Sequence, residues 1–282
     1  MNLVPPRPTA ERPRGGPGRT AAGPEAARAA VVIVGGHEGG ADVAVDPLVE
    51  YRPLVRAASA RQHLEDAVRQ ALDSSEQPVC VVPMTLGRDP GLVADTARTL
   101  MSLSGGAAGG RVMLAEPFAD PNQLTGWLRV AVAGAAGPDG GTDLAVLLTA
   151  NAANRFDDAE LFRIAHLVKA QDHLPWVEVA FRGGEPDVAE GVERCRRLGA
   201  GRVAVVPADF RPATGPLMPG VIDNGPLLAP SAVSGMLATR VAGALLRLSQ
   251  GDDGIAGGLD ADHSHGHAGG AWQDPDPGPD EG

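Results

Sequence analysis

The sequence predicts an α/β protein made of two similar lobes with parallel sheets, and three observations carry that expectation. β-branched apolar runs of strand length alternate with amphipathic stretches of helix length, the pattern of parallel strands covered by helices on both faces. A glycine-rich stretch at residues 134–141 interrupts the alternation, and the same pattern restarts at Asp143. The two halves also carry matching motifs in the same order, as an internal duplication would.

Residues 1–29 are Pro, Gly, Arg and Ala without apolar periodicity, which predicts a disordered leader. The first lobe is expected over 30–135. Val31-Val32-Ile33-Val34 opens it as a buried strand, followed by a polar, irregular stretch at 41–58 where a simple βαβ unit would place a helix. Residues 60–72 read as a helix with Leu64, Ala67, Val68, Ala71 and Leu72 on one face. A strand over 78–84 ends near Pro83, and a helix over 90–103 takes Pro90 in its first turn. A strand over 111–116 and a helix over 122–135 complete the lobe.

The second lobe is expected over 143–250. Its elements are a strand at 143–149, a helix at 157–170, a strand at 176–181, a helix at 188–198, a strand at 202–207, a short strand near Val221 and a closing helix at 230–249. Residues 251–282 form an acidic, His-containing tail that is expected to be disordered.

Four pairings support the duplication. Val31 to His37 aligns with Ala145 to Asn151, and Val81-Val82-Pro83 with Val205-Val206-Pro207. Pro117 to Pro121 aligns with Pro226 to Pro230, after which Gly126, Leu128 and Gly134 meet Gly235, Leu237 and Gly243. Gly91 and Gly215 follow their Val-Pro prolines at equal spacing. In this alignment Asn151 stands where the first half has His37.

Composition excludes several classes. The 282 residues carry a net charge of -11, with much of the acidic excess in the tail, and aromatic residues make up 3%. Both features argue against a nucleic-acid groove of cations and stacking rings. No apolar run approaches the ~20 residues of a membrane span and no signal peptide is evident, so a cytoplasmic protein is expected. Cys80 and Cys195 fall in a strand and a helix and read as buried, reduced thiols.

The chemistry is expected in the loop Gly35-Gly36-His37-Glu38-Gly39-Gly40, at the strand end where open α/β sheets bind ligands. The loop has the spacing of neither a dinucleotide fingerprint nor a phosphate loop nor a nucleophile elbow, so no nucleotide cofactor is expected. His37 and Glu38 are the candidate catalytic residues. Gly35, Gly36 and Gly39 are candidate floor residues, where a missing Cβ lets backbone approach a flat ligand. Asn151 is their counterpart across a cleft. In the tail, His263, His265 and His267 alternate beside Asp260 and Asp262, a composition suited to loose binding of a divalent metal. His63, His166 and His173 read as surface residues, Asp157, Asp158 and Glu160 as helix N-terminal charges, and Trp127 and Trp176 as core.

These residues resemble the class II tetrapyrrole chelatases of the sirohydrochlorin cobalt or iron chelatase type. The resemblance rests on Val31 to Glu38, the Val-Val-Pro strand ends, Glu178-Val179-Ala180-Phe181 with Glu185-Pro186, the stretch from Gly191 to Gly199, and Pro226 to Pro230 with its following helix. It implies two flavodoxin-like lobes with a tetrapyrrole cleft between them, and insertion of Co2+ or Fe2+ into sirohydrochlorin on the way to cobalamin or sirohaem. Ni2+ is a further candidate metal. His37 matches the family His that binds the metal or takes a pyrrole proton, and Glu38 would serve as base or second ligand. The family's second His falls at Gly91 here, with Gly215 in the second half, so metal delivery passes to Glu38, Asp89 or Glu116, all near strand ends. That departure keeps open an alternative, a non-catalytic carrier of metal or tetrapyrrole on the same fold. A third reading is an α/β protein binding another planar or anionic ligand. The metal, the macrocycle and the oligomeric state are left open.

Overall fold

The computed structural model describes residues 29–45, 54–58, 61–103, 110–137, 143–172, 176–212 and 219–261. The first half contains β1 (Ala30–Gly35), a short 3-10 turn (Gly40–Asp42), β2 (Leu54–Ala58), α1 (Arg61–Ser74), β3 (Val79–Met84), α2 (Pro90–Leu103), β4 (Val112–Leu114) and α3 (Pro121–Ala136). The second contains β5 (Leu144–Asn151), α4 (Arg155–Asp172), β6 (Trp176–Arg182), α5 (Val188–Arg197), β7 (Arg202–Pro207), β8 (Val221–Asp223), α6 (Pro230–Ser249) and α7 (Ile255–Leu259).

Each half contributes one four-stranded sheet, ordered β2-β1-β3-β4 and β6-β5-β7-β8, with every pairing parallel. The expected α/β class and paired parallel sheets are present. The leader through residue 28, His173, and the tail from residue 262, with His263, His265 and His267, lie outside the described residues.

The register corrects one detail of the sequence alignment. Val34 pairs with Pro83 and Thr149 with Pro207, so the strands superpose one residue away from the motif match. Asn151 is thereby the counterpart of Gly36 rather than of His37. Strand β2 is a second correction, because it lies inside the stretch read as irregular. It is a short edge strand with Arg56 at its centre, so it lacks an apolar run; the guanidinium donates to the carbonyls of Ala41 at 2.6 Å and Val43 at 2.9 Å.

The core explains why the halves form one body. One face of β1 and β3 (Val31, Ile33, Cys80, Val82) and one face of β5 and β7 (Val146, Leu148, Val206) belong to a single cluster with α3, α4 and α6. The helices are exchanged: α3, which follows the first sheet, packs on β7 and α4, while α6, which ends the second half, packs on β3 and β4. The outer faces are covered separately, the first by α1, α2 and α7, the second by α5. Phe118, fully buried, stacks edge-on against Phe210 of the other half with ring centroids 5.2 Å apart.

The chain beyond α6 is structured further than its composition suggests. Leu114 of β4 donates its N–H to the carbonyl of Asp253 at 2.8 Å, and Ile255 of α7 joins the outer core. Residues 251–261 thus cover β4 instead of belonging to the expected tail. Cys80 and Cys195 are both buried and free, and burial pushes their thiols up to about 12 and about 11. No helix among the described residues is long and apolar enough to cross a membrane.

Candidate metal-binding site

Strand β1 ends at Gly35, and the next residues turn across the C-terminal edge of the first sheet. The space that the glycines leave is filled by protein. A Cβ on Gly36 would stand 2.0 Å from Asp89 Oδ2, and one on Gly35 would stand 2.1 Å from the Ala41 nitrogen. Gly39 has φ 77°, a left-handed conformation suited to glycine, and a Cβ there would meet the Arg211 side chain at 2.7 Å. These glycines therefore let Ala41, Asp89 and Arg211 close in on the loop, in place of the flat ligand that the sequence suggests.

His37 and Asp89 are brought together. Imidazole Nδ1 lies 3.1 Å from Asp89 Oδ2, with the two side chains 18% and 13% exposed. Asp89 is fixed from the other side by its position at the start of α2, where its Oδ1 accepts the N–H of Leu92 at 2.9 Å. Burial on its own would raise the Asp89 carboxyl, but the hydrogen bond and charge of His37, with main-chain N–H donors, outweigh it and hold the group below its ordinary value. Burial pulls the His37 imidazole down, and Asp89, helped by the charge of Glu38, more than reverses this. The pair is thus an imidazolium and a carboxylate over a wider pH range than either group alone.

Asp157, in the first turn of α4, comes from the second half to the same place. One donor atom each from His37, Asp89 and Asp157 fit within 4.8 Å of one another, a spacing that suits a single metal ion. The helix starts two residues before the sequence suggests, because Asn154 Oδ1 accepts the N–H groups of Phe156 at 2.9 Å and Asp157 at 3.1 Å. Asp157 and Asp158 therefore have tertiary partners and are more than helix N-terminal charges. Burial raises the Asp157 carboxyl, against the charge of His37.

Glu38 turns inward. It has no exposed surface, and its Oε2 accepts the Thr85 hydroxyl and the Leu86 N–H, the latter at 2.9 Å. Burial lifts its carboxyl, and the charge of Arg88 and the Thr85 hydroxyl only partly offset this. The structure gives Glu38 to the β3–α2 loop as an anchor, apart from His37, Asp89 and Asp157. Glu116 lies elsewhere, past β4, held by Arg240 at 2.9 Å and Arg247 at 3.3 Å beside a separate cavity of about 330 Å³.

Asn151 joins the halves. Its Nδ2 donates to the His37 carbonyl at 2.8 Å, and its Oδ1 accepts from Arg182 Nε at 3.0 Å. Arg182 also reaches Asp209, whose carboxylate accepts the N–H groups of Asn151 at 2.9 Å and Arg211 at 3.0 Å. Phe210 adds a second main-chain link, donating to the Glu38 carbonyl at 3.0 Å.

The sequence gives Asp157 only as a helix N-terminal charge and carries no motif for Thr85 or Arg88. Their only signal is position: Thr85 and Arg88 follow the Val-Val-Pro strand, and Asp157 follows β5, both at C-terminal sheet edges.

With this geometry established, comparison with known proteins gives a fold. SirB from Bacillus subtilis with Fe3+ matches with a TM-score of 0.51 at 14% identity, over 80% of this chain and 98% of that one. The sirohydrochlorin chelatase SirB from Bacillus subtilis subspecies spizizenii in complex with cobalt matches over 80% of this chain and 98% of that one, at 14% identity and a TM-score of 0.41. DR2241 from Deinococcus radiodurans, a multi-domain protein with structural similarity to chelatases and two additional novel domains, matches at 18% identity over 76% of this chain and 55% of that one, with a TM-score of 0.43. No protein-family model matches, and the search of curated proteins returned no match. The first likeness establishes a chelatase-like fold.

Proposed function

We propose that this chain receives a divalent late first-row metal at His37, Asp89 and Asp157 and passes it to a tetrapyrrole, as a sirohydrochlorin chelatase-like enzyme. Co2+ and Fe2+ are the favoured metals and Ni2+ the next. The observation that carries this reading is the meeting of one imidazole and two carboxylates from both halves at one sheet edge. Imidazole suits these metals, and two carboxylates balance the charge of a dication. The three tail residues His263, His265 and His267 would raise the local metal concentration.

The chemistry follows from the protonation of the pair. A metal entering the trio displaces the proton that His37 shares with Asp89, so binding competes with that proton and strengthens as pH rises through the elevated His37 pKa. Insertion requires two pyrrole N–H protons to leave, and the imidazole and carboxylates freed as the metal moves on are the bases that accept them. Beside Asp157, Phe156 is 68% exposed, with the Arg155 guanidinium 4.8 Å from its ring centroid. A largely exposed aromatic ring with a cation over it suits a macrocycle that carries carboxylates.

The test is the optical spectrum of sirohydrochlorin with Co2+ or Fe2+, followed with and without protein. The expected result is accelerated insertion that His37→Ala abolishes; equal rates for the two proteins would sink the enzyme reading. Gly91, where the resemblance places a second His, favours the other reading, a carrier of metal or tetrapyrrole. Calorimetry showing tight stoichiometric binding without turnover would select it.

A further inference from the structure

Arg88 is the bulkiest fully buried side chain among the described residues. It belongs to the β3–α2 loop of the first half, next to Asp89, yet its guanidinium bonds to the second half. Its Nε donates to the main-chain carbonyl of Asp157 at 3.3 Å, and its Nη2 to Asp158 Oδ1 at 3.4 Å. Asp158 Oδ1 also accepts the N–H of Ala153 at 3.1 Å, which ties the β5–α4 connection into the same contact. Nη1 is buried without a hydrogen-bond partner.

Stability is a poor reason for this arrangement. Removing a guanidinium from water is costly, and two long hydrogen bonds with the attraction of the buried Glu38 carboxylate recover only part of the cost, so that two apolar side chains in place of the two charges would pack as well. What an apolar side chain would not supply is direction. Arg88 grips the backbone of Asp157 and the side chain of its neighbour, while the Asp157 carboxylate is left to Asn154 Nδ2 at 2.6 Å and to the trio.

We propose that Arg88 is a positioning residue of the metal site, holding the first turn of α4 on the β3–α2 loop so that Asp157 meets His37 and Asp89. The proposal rests on the reading that this trio receives metal. The site is then complete only when both halves are in register, and Arg88 is the side chain that sets that register locally.

The experiment is a double-mutant cycle on Co2+ affinity by calorimetry, in the full chain with His263, His265 and His267 each changed to Ala so that tail binding does not contribute. Arg88→Met and Asp157→Asn are each expected to weaken Co2+ binding by about 10-fold, the loss typical of disturbing a ligand's support. The double variant should be no more than about 2-fold weaker than Asp157→Asn alone, because both changes remove one donor. The visible band of bound Co2+ should be the same in the two single variants. Losses that multiply in the double variant, or affinity in Arg88→Met within about 2-fold of the parent, would overturn the proposal. If Arg88→Met does not fold by circular dichroism, Asp158→Asn takes its place in the cycle, with an expected loss of about 3-fold that vanishes in the Asp157→Asn background. A parent that takes up no Co2+ removes the metal reading and the proposal with it, an outcome distinct from normal uptake that ignores Arg88.

Discussion

The C-terminal edges of the two sheets have the same strand order and opposite chemistry. At the second edge, Asn151, Arg182, Thr149 and Asp209 are joined in one hydrogen-bonded network. At the first edge His37 Nε2, Glu38 Oε1 and Arg88 Nη1 are buried without hydrogen-bond partners, three of the five such side-chain atoms among the described residues. Buried polar groups that are left unsatisfied cost stability, so a fold keeps them where they do something else. The comparison teaches that one edge is a brace and that the other, where the metal site is proposed, keeps its polar groups unsatisfied, while the brace reaches across to the His37 backbone through Asn151.

The sharpest way to break that division is to weaken the brace. Asp209 is fully buried against Arg182, so Asp209→Asn should cost about 3–5 kcal/mol in denaturant unfolding while Co2+ affinity stays at the parental value. Loss of metal binding at full folding would mean that the second edge is part of the site. The opposite test is His37→Ala, which should reduce Co2+ affinity by at least about 100-fold, beyond the usual effect of a supporting residue, with a loss of stability that is largest where His37 and Asp89 are both charged.

Asp89→Asn probes the pair itself. Burial is the largest influence on the His37 imidazole and pulls it down, so loss of the carboxylate should move its NMR titration from above to below the ordinary 6.5. The sign of the stability effect follows. His37, with its folded pKa raised, contributes stability that is full below 6.5 and is lost as pH rises through the folded value. Asp89, with its folded pKa lowered, contributes above 3.8 and loses it as pH falls through its folded value. The parent should therefore show a stability advantage over Asp89→Asn between those limits, and a flat difference across them would contradict the ion pair.

Two smaller effects refine the picture. Asn151→Ala removes hydrogen bonds to the His37 carbonyl and from Arg182 and should lower stability by about 1–2 kcal/mol, with Co2+ affinity at the parental value. Phe156→Ser should raise the KM for sirohydrochlorin by about 2- to 10-fold, the range of one aromatic contact, with Co2+ affinity and stability unchanged.

Periodicity and turn chemistry determined the class, the two parallel sheets and most elements: α2 over residues 90–103, β7 over 202–207 and α6 over 230–249 have the expected bounds. These are local properties, written in apolar spacing and in Pro and Gly positions. Residue type also singled out His37, the titratable group at the end of the first buried strand. Only the tertiary structure decided what surrounds it. Asp157 lies 120 residues from His37 along the chain, and no spacing rule links groups brought together by exchanged helices. The same holds for Glu38, which turns inward to Thr85 and Leu86 while the preceding His37 meets Asp89, and for Arg88, whose partners on α4 no local pattern names. Short-range forces select strands and helices; which carboxylate meets the imidazole depends on packing between halves, where burial and charge act through space and not along the sequence.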